Sequence, residues 1–351
     1  MTRKSRTGGF SCKVWANGLA LPSQQLSQVP GSAVPQVHWR VVPGSTGAAS
    51  AGELGSMAAA AVVAGSIAAA AVVHGSMADN WLSPHSFVPE ESIAILRSAQ
   101  AQDYGGGAFM VIVESIGEFS RWLDDSTPGL QGLQVENLIG NPEVWALAAQ
   151  GSRQLPLDVV LSDPASEFSA LYRLVDVRIV RPVRVTIPAK PGFLKALRLA
   201  ASLQLPVRLV PGQPSPEVLT ELTEAAQFYI HDPMVEAPVE FFHSVLATFR
   251  GLLDYGTLWT FLEQDPVFVS HRDADGKASL PEDFVESLLA RLIHEGAECA
   301  MCRWRPVCAG YFKWPNPAYD CAGVKQLFAL LESTADEITH DLTSQETTSP
   351  P

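Results

Sequence analysis

The chain has 351 residues, 47% hydrophobic, 8% aromatic and 17% charged, a balance that excludes a disordered or collagen-like polymer and suffices for a core without disulfides or metal. Its formal charge is −13, from 24 Lys and Arg against 37 Asp and Glu. Residues 1–80 hold five of the basic residues against Glu53 and Asp79, which leaves −16 for the rest and argues against a grip on nucleic-acid phosphates.

The first elements in chain order are not those of a folded domain. GSMAAAAVVA at 55–64 and GSIAAAAVVH at 65–74 form a ten-residue repeat that starts again at Gly75-Ser76-Met77. Alanine and valine runs bury little area, and ten residues is far below the period of stacking solenoids. Residues 54–78 match a bilayer span in length, but they are Ala-rich, split by Gly65-Ser66 and carry His74, so no span is expected. Positions 1–52 lack Asp and Glu, the composition of a transit peptide and equally of an over-extended gene start. Ordinary globular composition begins at Met77-Ala78-Asp79-Asn80, and the functional chain is expected to start near there.

From 108 onward apolar runs recur about every 25 residues, namely AFMVIV (108–113), LQVEN (133–137), LPLDVVL (155–161), VRVTI (183–187) and LPVRLV (205–210). Stretches with helical spacing separate them at 116–123, 142–149, 165–174 and 192–203. Near-continuous apolar strands imply burial on both faces, as in parallel sheets covered by helices. The expected class is therefore α/β, either a complete or partial (β/α) barrel or an open wound sheet.

In each of these the working face is the C-terminal edge of the strands. Residues just past the strands are Glu114-Ser115, Glu136-Asn137, Ser162-Asp163, Pro188–Lys190 and Pro211–Gln213, and Glu114, Glu136 and Asp163 are the catalytic candidates. Asp163, Ser162 and Asn141 also read as caps of the following helices. Beyond 216 the chain reads as two aromatic helices, then as an extended stretch over 257–271. Glu240 and His243 have the spacing of a carboxylate–histidine ligand pair, but no second pair accompanies them. His271-Arg-Asp273-Ala-Asp275-Gly276 with Glu282 lacks the first ligand of a calcium loop and reads as a polar turn. Gly105-Gly106-Gly107 precedes a strand and so is not a phosphate loop.

Cys299, Cys302, Cys308 and Cys321 carry the strongest signal. They are four of the five cysteines, spaced C-x2-C-x5-C-x12-C after the helical run DFVESLLARLIHEG. An odd count clustered at one end is not a secreted disulfide framework, so a reducing cytoplasm is expected. Four clustered thiols suit tetrahedral Zn²⁺ or an iron–sulfur cluster. Arg303, Arg305, Lys313 and Lys325 against Asp320 make 299–325 net +3 inside an acidic body, which would offset thiolate charge.

The C-x2-C-x5-C run, followed by Gly310-Tyr311-Phe312-Lys313-Trp314-Pro315 and Tyr319-Asp320-Cys321, resembles the C-terminal auxiliary-cluster segment (SPASM or twitch type) of radical SAM peptide maturases. The resemblance covers about 90–335. It implies a partial (β/α) barrel of parallel strands followed by a four-cysteine cluster-binding segment, with Cys299, Cys302, Cys308 and Cys321 on a [4Fe–4S] cluster. The x12 gap is longer than the family's usual last gap, which makes Cys321 the least regular ligand. The family's catalytic C-x3-C-x2-C is missing, since no cysteine lies between Cys12 and Cys299.

The expected organisation is a low-complexity extension over 1–76, a radical-SAM-like partial barrel over 77–285, a cluster-binding segment over 286–340 and a disordered tail over 341–351. The function implied is an iron–sulfur accessory protein in peptide modification, whose partner is a radical SAM enzyme or a precursor peptide. A zinc-stabilised binding module and a barrel enzyme acting on a small substrate are the alternatives.

Overall fold

The computed structural model describes residues 92–150, 154–252, 256–273 and 275–348, the last four by their backbone alone. The low-complexity extension over 1–76 and the start near Met77 lie outside the described residues.

Eight strands form one parallel sheet, in the order β7-β6-β5-β4-β3-β2-β1-β8. They are β1 (Ile93–Arg97), β2 (Phe109–Val113), β3 (Leu130–Glu136), β4 (Leu157–Val160), β5 (Val183–Pro188), β6 (Val207–Val210), β7 (Val239–Glu240) and β8 (Val269–His271). Helices alternate with the strands, and the sheet curls into a half-barrel whose edges are β7 and β8. This is the expected α/β partial barrel. Among the described residues no helix is long and apolar enough to cross a membrane.

Three of the helices begin where a short polar side chain satisfies a free N–H group. Ser115 accepts from the Glu118 N–H at 3.3 Å, Asn141 from Glu143 at 3.0 Å and Ser215 from Val218 at 3.3 Å. Proline occupies the first turn of the helices Pro142–Ala148, Pro164–Glu167 and Pro216–His231, where its missing N–H costs nothing.

Alternation along each strand gives the sheet two different faces. Val111, Val135, Val159, Val185 and Leu209 join the large core under the helices. On the other face Ile93, Ile95, Met110 and Val269 form a separate small apolar cluster beside β8. Further along that same face, toward β6, the buried residues are charged or polar: Asp158, Arg184, Thr186 and Arg208.

Those charges close a ring. Asp158 Oδ2 accepts from Arg184 Nη2 at 2.9 Å and from Arg208 Nη2 at 2.6 Å, and Asp158 Oδ1 accepts from Thr186 Oγ1 at 2.6 Å. Glu263 completes it, taking Arg184 Nη1 at 2.5 Å and pairing with Arg208 Nη1. Glu263 follows the short helix Leu258–Phe261 with φ +57 and comes from the chain between β7 and β8, so the ring ties the adjacent strands β4, β5 and β6 to the segment joining the two edges.

Four expectations change in detail. The stretch 257–271 is not extended throughout: Leu258–Phe261 is helical, with Trp259 and Phe261 buried, and only Val269–His271 joins the sheet. The helix expected from 238 is preceded by the two-residue β7 and starts at Phe242. The tail expected from 341 begins inside the helix Ala322–Thr348. Its buried residues Val324, Leu327, Phe328, Leu331, Ala335 and Ile338 recur at helical spacing and hold it to the core, with Phe328 edge-on to Phe249 at 6.3 Å. The boundary drawn at 285/286 falls within the helix Phe284–His294.

Candidate metal centre

The four cysteines sit on three short pieces of backbone. Cys299 lies in the 3-10 turn Glu298–Met301, and Cys302 closes that turn with its N–H directed to the Cys299 carbonyl at 3.3 Å. Cys308 ends the single-turn helix Arg305–Cys308, and Cys321 immediately precedes the final helix. All four are free thiols; Cys299 and Cys321 are buried, Cys302 and Cys308 half-buried.

All four line one pocket, together with Glu298, Arg305, Lys313 and Lys325. Phe312, Val324 and Phe328 supply apolar wall. Nothing local in the sequence requires these pieces to meet. The backbone does it at Ala309 and Gly310, which both take left-handed angles, φ +45 and +76. That reversal turns the N–H groups of Gly310, Tyr311 and Phe312 onto the Cys308 sulfur, an arrangement of successive amides that favours an anion.

Burial pushes the Cys308 thiol up to about 11 even against those three amides. It also pushes Cys321 up to about 12, with the Glu298 carboxylate adding to the rise, and raises Cys299. A metal bound here would therefore have to displace the thiol protons, so its uptake would release them. For Glu298, burial acts upward, but hydrogen bonds from Lys313 and Lys325 and from the Cys321 N–H pull its carboxyl down to about 2.

The donor set tests which group fits. A single zinc draws four sulfurs to one point at about 2.3 Å each. Among the described residues no three His, Cys, Asp or Glu side chains come together to hold one metal ion. The four thiols line one pocket, and four thiolates suit either a tetrahedral Zn²⁺ or the irons of a [4Fe–4S] cluster. Three cationic side chains line the same space and would offset thiolate charge.

The segment is fastened to the C-terminal edge of the sheet. Gln213, three residues past β6, donates to the carbonyls of Phe312 at 2.9 Å and Asn316 at 2.8 Å. Tyr319 Oη donates to the Pro214 carbonyl at 2.7 Å, and Trp259 Nε1 to that of Ala309 at 3.1 Å. Gln213 thus belongs to the edge positions singled out in the sequence, and its work here is to hold the cysteine segment.

The other edge residues have local partners. Glu114 pairs with Arg97 at 2.6 Å, and Glu136 accepts from Gln134 Nε2 at 2.6 Å. Asp163 precedes the helix Pro164–Glu167 and accepts from Ser166 Oγ at 2.5 Å. Ser162 donates to Asn137 Oδ1 at 2.6 Å while its carbonyl accepts from Lys190 Nζ at 2.7 Å. Glu240 accepts from Ser244 Oγ at 2.5 Å, whereas His243 Nδ1 meets Tyr229 Oη at 3.1 Å, so the two are engaged separately. Asp273 folds its own turn, accepting from the N–H groups of Asp275 and Lys277 at 3.0 Å each.

Glu298 is the site residue that motif reading passed over, because it stands one position outside the cysteine spacing. The inward-facing ring was also missed. Its signal was one charged position each in LPLDVVL, VRVTI and LPVRLV. No protein-family model matches this chain, and no curated protein or solved structure matches it.

Proposed function

We propose that the chain is an iron–sulfur-binding, radical-SAM-like accessory protein of a peptide-modification system, with Cys299, Cys302, Cys308 and Cys321 as ligands of a [4Fe–4S] cluster. The observation that carries this reading is the meeting of those four thiols on one pocket with three cationic neighbours and three amides aimed at Cys308. The bound cluster would supply one-electron transfer or a structural anchor. The chain's own residues exclude water through Phe312 and Phe328 and balance thiolate charge through Arg305, Lys313 and Lys325.

The missing C-x3-C-x2-C makes adenosylmethionine cleavage the work of a second protein. A separate radical SAM enzyme, or the precursor peptide it modifies, is the proposed partner, in a reducing cytoplasm. Neither the nucleic-acid partner excluded by the acidic body nor a membrane belongs to this reading.

Substitution tests the site. Cys302→Ala is expected to abolish the iron and sulfide that the natural chain retains after anaerobic purification, and to leave the far-ultraviolet spectrum of the half-barrel intact. Unchanged metal content in that variant would remove the site. Retention of a single zinc by the natural chain would favour the zinc-stabilised binding module instead.

A further inference from the structure

We propose that Glu298 is the positioning residue that makes Cys321 a ligand, an inference that rests on the cluster reading above. Twelve residues separate Cys308 from Cys321, and a loop of that length must be closed against its own entropy before its last residue can face the other thiols. The carboxylate of Glu298 is where that closure happens.

Its Oε1 accepts the Cys321 backbone N–H at 3.2 Å and pairs with Lys313 Nζ at 2.6 Å. Its Oε2 pairs with Lys325 Nζ, at the start of the final helix. Lys313 Nζ in turn donates to the Tyr319 carbonyl. The middle of the loop, its distal end and the helix after it are thereby tied to the residue adjacent to Cys299.

Two features separate this from an ordinary surface ion pair, which contributes little. Lys313 is 5% exposed, so its ammonium needs a counter-charge where it sits, and Glu298 supplies it. The Cys321 amide is bonded directly, which fixes the direction of the cysteine rather than merely its neighbourhood. Groups that orient a ligand in this way typically govern metal affinity by about 10- to 100-fold.

The test uses the full chain, loaded anaerobically with ferrous iron and sulfide, then exposed to iodoacetamide, with the label located by mass spectrometry. In the natural chain all four thiols are expected to be protected. In Glu298→Ala the label is expected on Cys321 first, with iron affinity about 10- to 100-fold lower and a spectrum shifted from a four-iron to a three-iron type. Glu298→Gln keeps an oxygen for the Cys321 N–H but leaves the buried Lys313 ammonium without its counter-charge, and is expected to restore protection in part, between the natural chain and Glu298→Ala. Lys313→Met preserves the buried volume, reads the same contact from the other side, and is expected to expose Cys321 as well.

Cys321 protected equally in the natural chain, Glu298→Ala and Lys313→Met would overturn the inference and leave the cluster reading standing. Label spread evenly over all four cysteines in Glu298→Ala would also overturn it, since Glu298 would then hold the whole segment. A natural chain that takes up no iron and sulfide removes the cluster reading and the inference together.

Discussion

Gly310 is where one residue type decides whether the cysteine pocket closes. At φ +76 a side chain is strained by about 1–2 kcal/mol, and a Cβ there would stand 2.9 Å from Leu292 Cδ1. Gly310→Ala is expected to destabilise the protein by at least that strain and to swing the amides off Cys308, lowering iron content as well as the urea midpoint. An unchanged midpoint with full iron retention would show that the reversal at 309–310 can be built without glycine. The four cysteines were legible as candidate ligands because thiols at short spacing stand out in any sequence. Glu298 was not, and Gln213 was marked only as a strand-edge position, because a glutamate or glutamine that holds a loop looks in sequence like any other until its distant partner, Cys321 or Phe312, is known.

At the scale of elements, the ring of Asp158, Arg184, Arg208 and Glu263 stabilises the sheet only while it is complete, because unpaired buried charge is what costs. Asp158→Asn leaves two guanidinium groups sharing Glu263 and is expected to cost about 3–5 kcal/mol in chemical denaturation. Burial acts to raise the Asp158 carboxyl, but Arg184 and Arg208 outweigh it and hold the group below its ordinary 3.8. The unfolded chain therefore binds this proton more readily than the folded one. The contribution is present above about pH 4 and is lost as acidity carries the group through its folded value. Between pH 5 and 3 the natural chain should lose stability that Asp158→Asn no longer has to lose, and parallel pH profiles for the two proteins would contradict this role for the ring.

Strands β2 to β6 were readable because each couples an apolar run to a following helix at a steady spacing. The other three were less so. Strand β1 precedes the regular series and β7 is two residues long, while β8 is only the last three residues of the stretch 257–271 expected to be extended, pairing with β1 across more than 170 positions of sequence. Nothing local marks where such strands begin; the partner does. The helical start at Leu258 and the continuation of the last helix past 341 were hidden for a related reason. Packing of the buried Trp259 ring holds the first of these helices, and the stripe from Val324 to Ile338 carries the last one up to the polar residues that continue it.

Across the whole described unit, the half-barrel and the cysteine segment are joined by side chains that the strand edge supplies. Gln213 and Pro214 follow β6, and the cysteine segment bonds to them, so the pocket sits beside the edge at which (β/α) folds do their work. The acidic balance of the body contrasts with the cations around the pocket, and that contrast belongs to a site that gathers negative charge. The most direct test of the central claim is iron, acid-labile sulfide and zinc analysis of the anaerobically purified full chain, with a visible spectrum of the same sample. About four irons and four sulfides per chain in a brown protein is the result expected of a [4Fe–4S] site. A colourless protein with one zinc, or with no metal and four alkylatable thiols, would contradict it.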